Sequence, residues 1–284
     1  MAKQASVGAI RVGIGGWTFE PWRDNFYPKG LKQARELEFA SREVTAIEIN
    51  GTYYGSQKPE SFARWREETP DDFVFAVKGP RFATNRKDLS LSAASVERFL
   101  TGGVLELKEK LGPINWQFLP TKAFVADDFA AFLELLPAEL EGRPLRHAVE
   151  VRHPSFATPE FIALAHRHGV AIIVADSDEH PQIADVTAPF VYARLQRARE
   201  EEEHGYAGAE IDLWAERARA WASGGVPEDL SAVADAAAKD GKAAKAAPRD
   251  VFIFMINGHK PKAPAAARAL LERLGLPSGG RSIA

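Results

Sequence analysis

Thr45-Ala-Ile-Glu-Ile-Asn50 is a short run in which Ile47 and Ile49 alternate with Glu48 and Asn50. Successive side chains of a β-strand point to opposite faces, so this run predicts a strand with an apolar face and a polar one. Seven similar runs occur: Arg11–Gly15, Phe73–Lys78, Ile114–Phe118, His147–Arg152, Val170–Asp176, Phe190–Leu195 and Val251–Asn257. Helical patterns separate most of them, and nearly every run ends in a polar or charged residue. Eight such runs with intervening helices predict an α/β fold of the (β/α)8 TIM-barrel class, in which chemistry sits at the C-terminal strand ends.

The length agrees with that reading. The chain has 284 residues, and an α/β barrel typically needs about 250. No Pro/Gly/Ser-rich linker separates two self-contained patterns, so residues 1–284 are read as a single domain. Two irregularities are expected. Only about a dozen residues separate strands six and seven, so the helix between them is degenerate. Residues 227–248, rich in Ala, Lys and Asp, lack an apolar stripe and read as an inserted, poorly packed segment before strand eight.

Composition excludes several function classes. The chain has no cysteine, which removes thiol nucleophiles, disulfides and thiolate metal sites formed by its own side chains. A formal charge of −3 does not favour a nucleic-acid coat protein, because phosphate neutralisation needs basic surface. The start, Met1-Ala-Lys-Gln-Ala-Ser-Val-Gly8, lacks a signal-peptide apolar core, and no run approaches the roughly 20 residues of a membrane span. A cytoplasmic location without membrane contact is expected; oligomeric state is not legible.

Strand parity nominates the chemistry. Glu48 on strand two and Glu150 on strand five are paired carboxylates that would face a common mouth, fit for acid/base work or for structural ion pairs with Lys78 and Arg152. Phe73, Phe75 and Val77 share one face of strand three, leaving Ala76 and Lys78 on the other. A lysine there can be a nucleophile, a base or an anion clamp, and neighbouring glutamates favour its charged form. Arg81, Arg152 and Arg194 extend a cationic set suited to phosphate or carboxylate. Asn50, Gln117, His153 and Asn257 supply orienting groups. The expected catalytic residues are Glu48, Lys78 and Glu150.

A metal is less supported. No His-x-x-x-His pair occurs, although Glu48, Glu150, Asp176 and His153 would make an oxygen-rich Mg²⁺ or Mn²⁺ site if they converged. No cofactor is otherwise expected. Gly13, Gly15 and Gly16 match neither the dinucleotide nor the Walker spacing, and close packing at a tight turn explains them better.

These segments together resemble the DUF72 family of YecE-like proteins along nearly the whole chain. The resemblance rests on Gly13-Ile-Gly-Gly-Trp17, Phe26-Tyr-Pro28, Glu48-Ile-Asn-Gly-Thr-Tyr-Tyr54, Phe75-Ala-Val-Lys78 with Pro80-Arg81, Trp116-Gln-Phe118, Glu150-Val-Arg-His-Pro-Ser155, Ala175-Asp176 and Val191-Tyr-Ala-Arg194. It implies a TIM barrel and a mouth built from Glu48, Asn50, Tyr54, Lys78, Arg81, Gln117, Glu150, Arg152, His153, Asp176 and Arg194. The chain departs from the family pattern at Gln196-Arg197, at Thr84-Asn85 and at Ile256-Asn257. The expected function is an enzyme acting on a small phosphorylated or carboxylated substrate. The alternatives are a metal-dependent phosphodiesterase or nuclease, for which nucleic acid would be the partner, and a non-catalytic ligand sensor or scaffold.

Overall fold

The computed structural model describes residues 7–234 and 247–278. Eight parallel strands form the sheet: β1 Ile10–Gly15, β2 Ala46–Ile49, β3 Val74–Lys78, β4 Leu111–Gln117, β5 His147–Glu150, β6 in two pieces (Ala171–Ile172 and Val174–Asp176), β7 Phe190–Leu195 and β8 Asp250–Met255. Each of β1 to β5 pairs with its successor, and β1 also pairs with β8. The break in β6 completes the circuit. Its first piece pairs with β5 and its second with β7, while Ile173 N donates to Val149 O at 2.9 Å. The chain is therefore an α/β TIM barrel.

The helices outside it are α1 Glu36–Glu43, α2 Pro59–Glu68, α3 Ala93–Thr101, α4 Ala126–Glu134, α5 Pro159–Arg167, α6 Gly208–Ala222 and α7 Ala263–Leu274. Local sequence sets their ends. Proline opens α2 and α5, where its missing N–H costs nothing, and Thr158 caps α5 by accepting from Phe161 N at 3.3 Å. No helix lies between Asp176 and Phe190, as the short spacing required. α3 stops at Thr101, because Gly102-Gly103 interrupts it with Gly103 at φ 108°, and a 3₁₀ segment continues to Lys110. A small antiparallel pair, Glu139–Leu140 with Arg143–Pro144, was not anticipated.

Parity holds through the core. Phe73, Phe75 and Val77 pack outward with Val12, Ile14 and Ile47 under the helices. The barrel interior is filled by Ala46, Ala76, Ala148 and Ala171 from one arc and by Phe190, Tyr192, Phe252 and Phe254 from the other. Small residues opposite large ones let the aromatic rings cross the barrel at normal packing density. Tyr192 thereby reaches upward from the apolar layer into the polar one.

The expected inserted segment, 227–248, lies partly outside the described residues. At its start Leu230 is buried, and the Asp185 carboxylate accepts from Val233 N at 2.7 Å and Ala234 N at 2.9 Å.

Candidate functional site

Above the apolar layer, the inward positions of four strands bring two carboxylates onto one guanidinium. Arg194 donates from Nε and Nη2 to the two oxygens of Glu48, each at 3.0 Å, and from Nη1 to Glu150 Oε2. Arg152 donates to Glu150 Oε1 at 2.9 and 2.7 Å and to Gln117 Oε1 at 2.9 Å. Glu48 Oε2 also accepts from the Tyr192 hydroxyl and from Asn115 Nδ2, the latter at 3.3 Å. Both glutamates are fully buried. Each of their four oxygens thus has a donor, which is the condition under which buried charge is tolerated.

This arrangement fixes the protonation states. Burial alone would raise the Glu48 pKa, but the charges of Arg194 and Lys78 and the Tyr192 and Arg194 hydrogen bonds bring it below the ordinary range. Burial likewise opposes ionisation of Glu150, and Arg194, Arg152 and Lys78 overcome it, pulling the pKa down to about 2. Both groups are carboxylates at neutral pH.

Lys78 is different. It is buried, at 6% exposure, with Nζ 4.4 Å from the centre of the Tyr53 ring. Its Nζ makes no hydrogen bond or ion pair among the described residues. Burial and the Arg194 charge lower its pKa to about 8 against the opposing pull of Glu48 and Glu150. The ammonium opens onto a cavity of about 360 Å³ lined also by Asn50, Tyr54, Gln117, Arg152, Arg194 and Asn257. Most of the residues expected at the mouth are therefore brought together.

Five do not line that cavity: the fully buried Glu48 and Glu150, which Arg194 holds, and three residues that lie elsewhere. Asp176 shares the parity of Val174 and points to the outer layer, where Arg197 pairs with it at 2.7 Å. Burial raises its pKa despite that partner. His153 turns to Ser155, with Nδ1 and Oγ 2.8 Å apart, and caps a short helical turn. Arg81 stacks at the rim, 5.9 Å from the Tyr54 ring and 5.4 Å from Phe82. Glu48, Glu150, Asp176 and His153 thus do not converge. Among the described residues no group of three or more His, Asp or Glu is placed to hold a metal ion.

Three participants were missed. Asn115 and Tyr192 share the inward parity of Gln117 and Arg194, so strand alternation could have found them. Lys260 comes from the loop after β8, where no periodicity signals it. It lines the same cavity, 4.6 Å over the Phe19 ring, and burial lowers its pKa against the attraction of Glu48.

Fold and site together define a (β/α)8 barrel whose mouth carries a closed Glu–Arg network and a buried lysine outside it. The chain belongs to the DUF72 family, described as "Protein of unknown function DUF72", whose model matches residues 11–282. The UPF0759 protein YecE of Escherichia coli (strain K12) is 33% identical over 150 residues, 52% of this chain and 50% of that protein. The UPF0759 protein YunF of Bacillus subtilis (strain 168) is 25% identical over 189 residues, 64% of each. The chain spans about half the length of the first of these relatives and under two thirds of the second. A DUF72 family protein from Thermotoga maritima MSB8, TM1631, superposes with a TM-score of 0.67 at 24% identity, covering 94% of this chain and 99% of that one. At that identity the likeness speaks for the fold. No helix among the described residues is long and apolar enough to cross a membrane.

Proposed function

We propose that the mouth is the active site of an enzyme acting on a small phosphorylated or carboxylated molecule, with Lys78 as the group that meets the anion. One observation carries this reading: both carboxylates are consumed by Arg194 and Arg152, and the Lys78 ammonium remains unpaired inside the cavity. Lys260 adds a second cation, and Arg152 keeps Nη1 unused by any hydrogen bond among the described residues. The surplus charge is positive, and an enclosed cation binds an anion more strongly than an exposed one because water screens it less. Asn50, Asn257 and the Gln117 amide are placed to orient the rest of the ligand.

The roles divide accordingly. Glu48 and Glu150 are proposed to position Arg194 and balance its charge; their low pKa values and filled hydrogen-bonding capacity suit them poorly to proton transfer. Lys78 holds its proton loosely enough to donate it near neutral pH, so it serves as charge clamp and as general acid. A metal-dependent phosphodiesterase would need Glu48, Glu150 and a further ligand on one ion, an arrangement that the Arg194 pairing disfavours.

Calorimetric titration with inorganic phosphate tests the binding half. Affinity is expected to fall as pH rises through about 8, where Lys78 loses its charge, and to be lost in Lys78→Met. A folded Lys78→Met protein that binds phosphate like the parent would sink the assignment. Saturable binding of metabolites with no product from any of them would instead support the sensor reading.

A further inference from the structure

Beside the mouth lies a cleft of about 560 Å³ that the Glu–Arg network does not reach. Phe62, Pro80 and Phe99 give it an apolar wall, and Phe82 stands over it with 60% of its surface exposed. No carboxylate lines it, but two arginines do. Arg86 is held in place, donating to Phe82 O at 2.9 Å and to Ser95 Oγ at 3.4 Å. The Arg98 guanidinium makes no hydrogen bond or ion pair among the described residues.

The cleft and the mouth share a rim. Thr52 lines the cleft, and its hydroxyl donates to the Lys78 carbonyl at 2.6 Å. Tyr54, 65% exposed, belongs to the mouth, while Gly55 and Ser56 belong to the cleft. The Arg81 guanidinium bridges the Tyr54 and Phe82 rings. Two exposed rings joined by a stacked guanidinium form a platform on which a flat group gains dispersion and cation–π attraction.

We propose that the cleft is the second half of the mouth's binding site: it takes the flat apolar body of the ligand on Phe82 and its second anionic group on Arg98 and Arg86. The ligand class is an aromatic bis-anion, of which a nucleoside 3′,5′-bisphosphate is an example, with one phosphate at Lys78, the other at Arg98 and Arg86, and the base on Phe82. This rests on the anion-binding reading of the mouth. The cleft's charge supports it: two guanidiniums with no carboxylate in the lining leave a positive surplus suited to an anionic group.

Titration with two probes separates the two ideas. Inorganic phosphate reports the mouth alone, and adenosine 3′,5′-bisphosphate reports both halves. The bisphosphate is expected to bind at least about tenfold more tightly than phosphate, the scale of one stacked ring and one extra charge contact. Phe82→Ala and Arg98→Ala alter exposed side chains. Each is expected to remove most of that advantage while leaving phosphate affinity unchanged, whereas Lys78→Met weakens both probes. If phosphate binding depends on Lys78 but the bisphosphate binds no better, or the cleft variants change nothing, the cleft assignment is overturned and the mouth reading stands. If phosphate does not bind, or binds regardless of Lys78, both fall.

Discussion

Lys78 concentrates the conflict between fold and function in one residue. Its pKa of about 8 lies below the ordinary 10.5 because the site desolvates the ammonium and sets Arg194 beside it. The sign of the linkage follows. Between those two values the unfolded chain binds a proton that the folded chain has released, so stability rises with pH across that window. Below pH 8 the folded molecule carries a charge that costs it up to about 3 kcal/mol. Lys78→Met is similar in length and uncharged, so it is expected to gain stability toward that limit at neutral pH while losing the anion. Urea denaturation of both proteins checks it. A less stable Lys78→Met protein would show that the lysine is kept for packing, and stability gained with binding lost is the pattern of a functional residue.

At the scale of elements, Gly13 shows what a strand can and cannot announce. A Cβ at Gly13 would lie 1.9 Å from the Ala46 carbonyl oxygen, so β1 approaches β2 only because that position has no side chain. Gly16, at φ +75°, then turns the chain away from the strand. Close packing at a turn was legible in the spacing, because neither phosphate-loop pattern fits. Gly13→Ala is expected to destabilise the protein by about 3 kcal/mol, the upper range for a forced backbone shift, measured as a lowered urea midpoint. An unchanged midpoint would mean that β1 has room to move. The same alternation that placed Lys78 opposite Phe75 and Val77 also placed Glu48, Glu150 and Arg194 inward. It gave no guidance at Asp176, because Val170–Ala175 is apolar at all six positions and either face could be the inner one; Ala171 and Ile173 turn inward and Ile172 and Val174 outward, so Asp176 follows them out. Lys260 was invisible for a different reason: a loop has no period, and its lysine enters the mouth only because the chain after β8 folds back over Phe19 and Trp22.

Across the whole molecule, titratable groups lie at both ends of the barrel, and they fail in different pH windows. At the mouth, Glu150 is held at about pKa 2 from an ordinary 4.5, so its contribution is present above pH 4.5 and lost as pH falls toward 2. At the opposite end, where β4 and β5 begin, His147 is buried between Trp116 and the Pro137 carbonyl. Trp116 Nε1 donates to its Nδ1 at 3.1 Å, and its Nε2 donates to Pro137 O at 2.9 Å. Only the neutral ring can do both, because a proton on Nδ1 would face the indole N–H. Burial is the larger cause, and it lowers the pKa to about 4 from 6.5 against the favourable pull of the carbonyl. Between those values the unfolded chain takes up a proton that the folded chain refuses, so stability is lost as pH is lowered through that window, by about 3 kcal/mol. Acid should therefore loosen the bottom of the barrel before it disturbs the Glu–Arg network at the top. His147→Gln retains one acceptor and one donor without a group that titrates there. The variant is expected to be less stable at neutral pH, from lost ring packing, but to show a much flatter loss between about pH 6.5 and pH 4. Denaturation midpoints measured across that range for both proteins decide the matter: parallel curves would place the acid sensitivity elsewhere, and converging ones assign it to the base of β5.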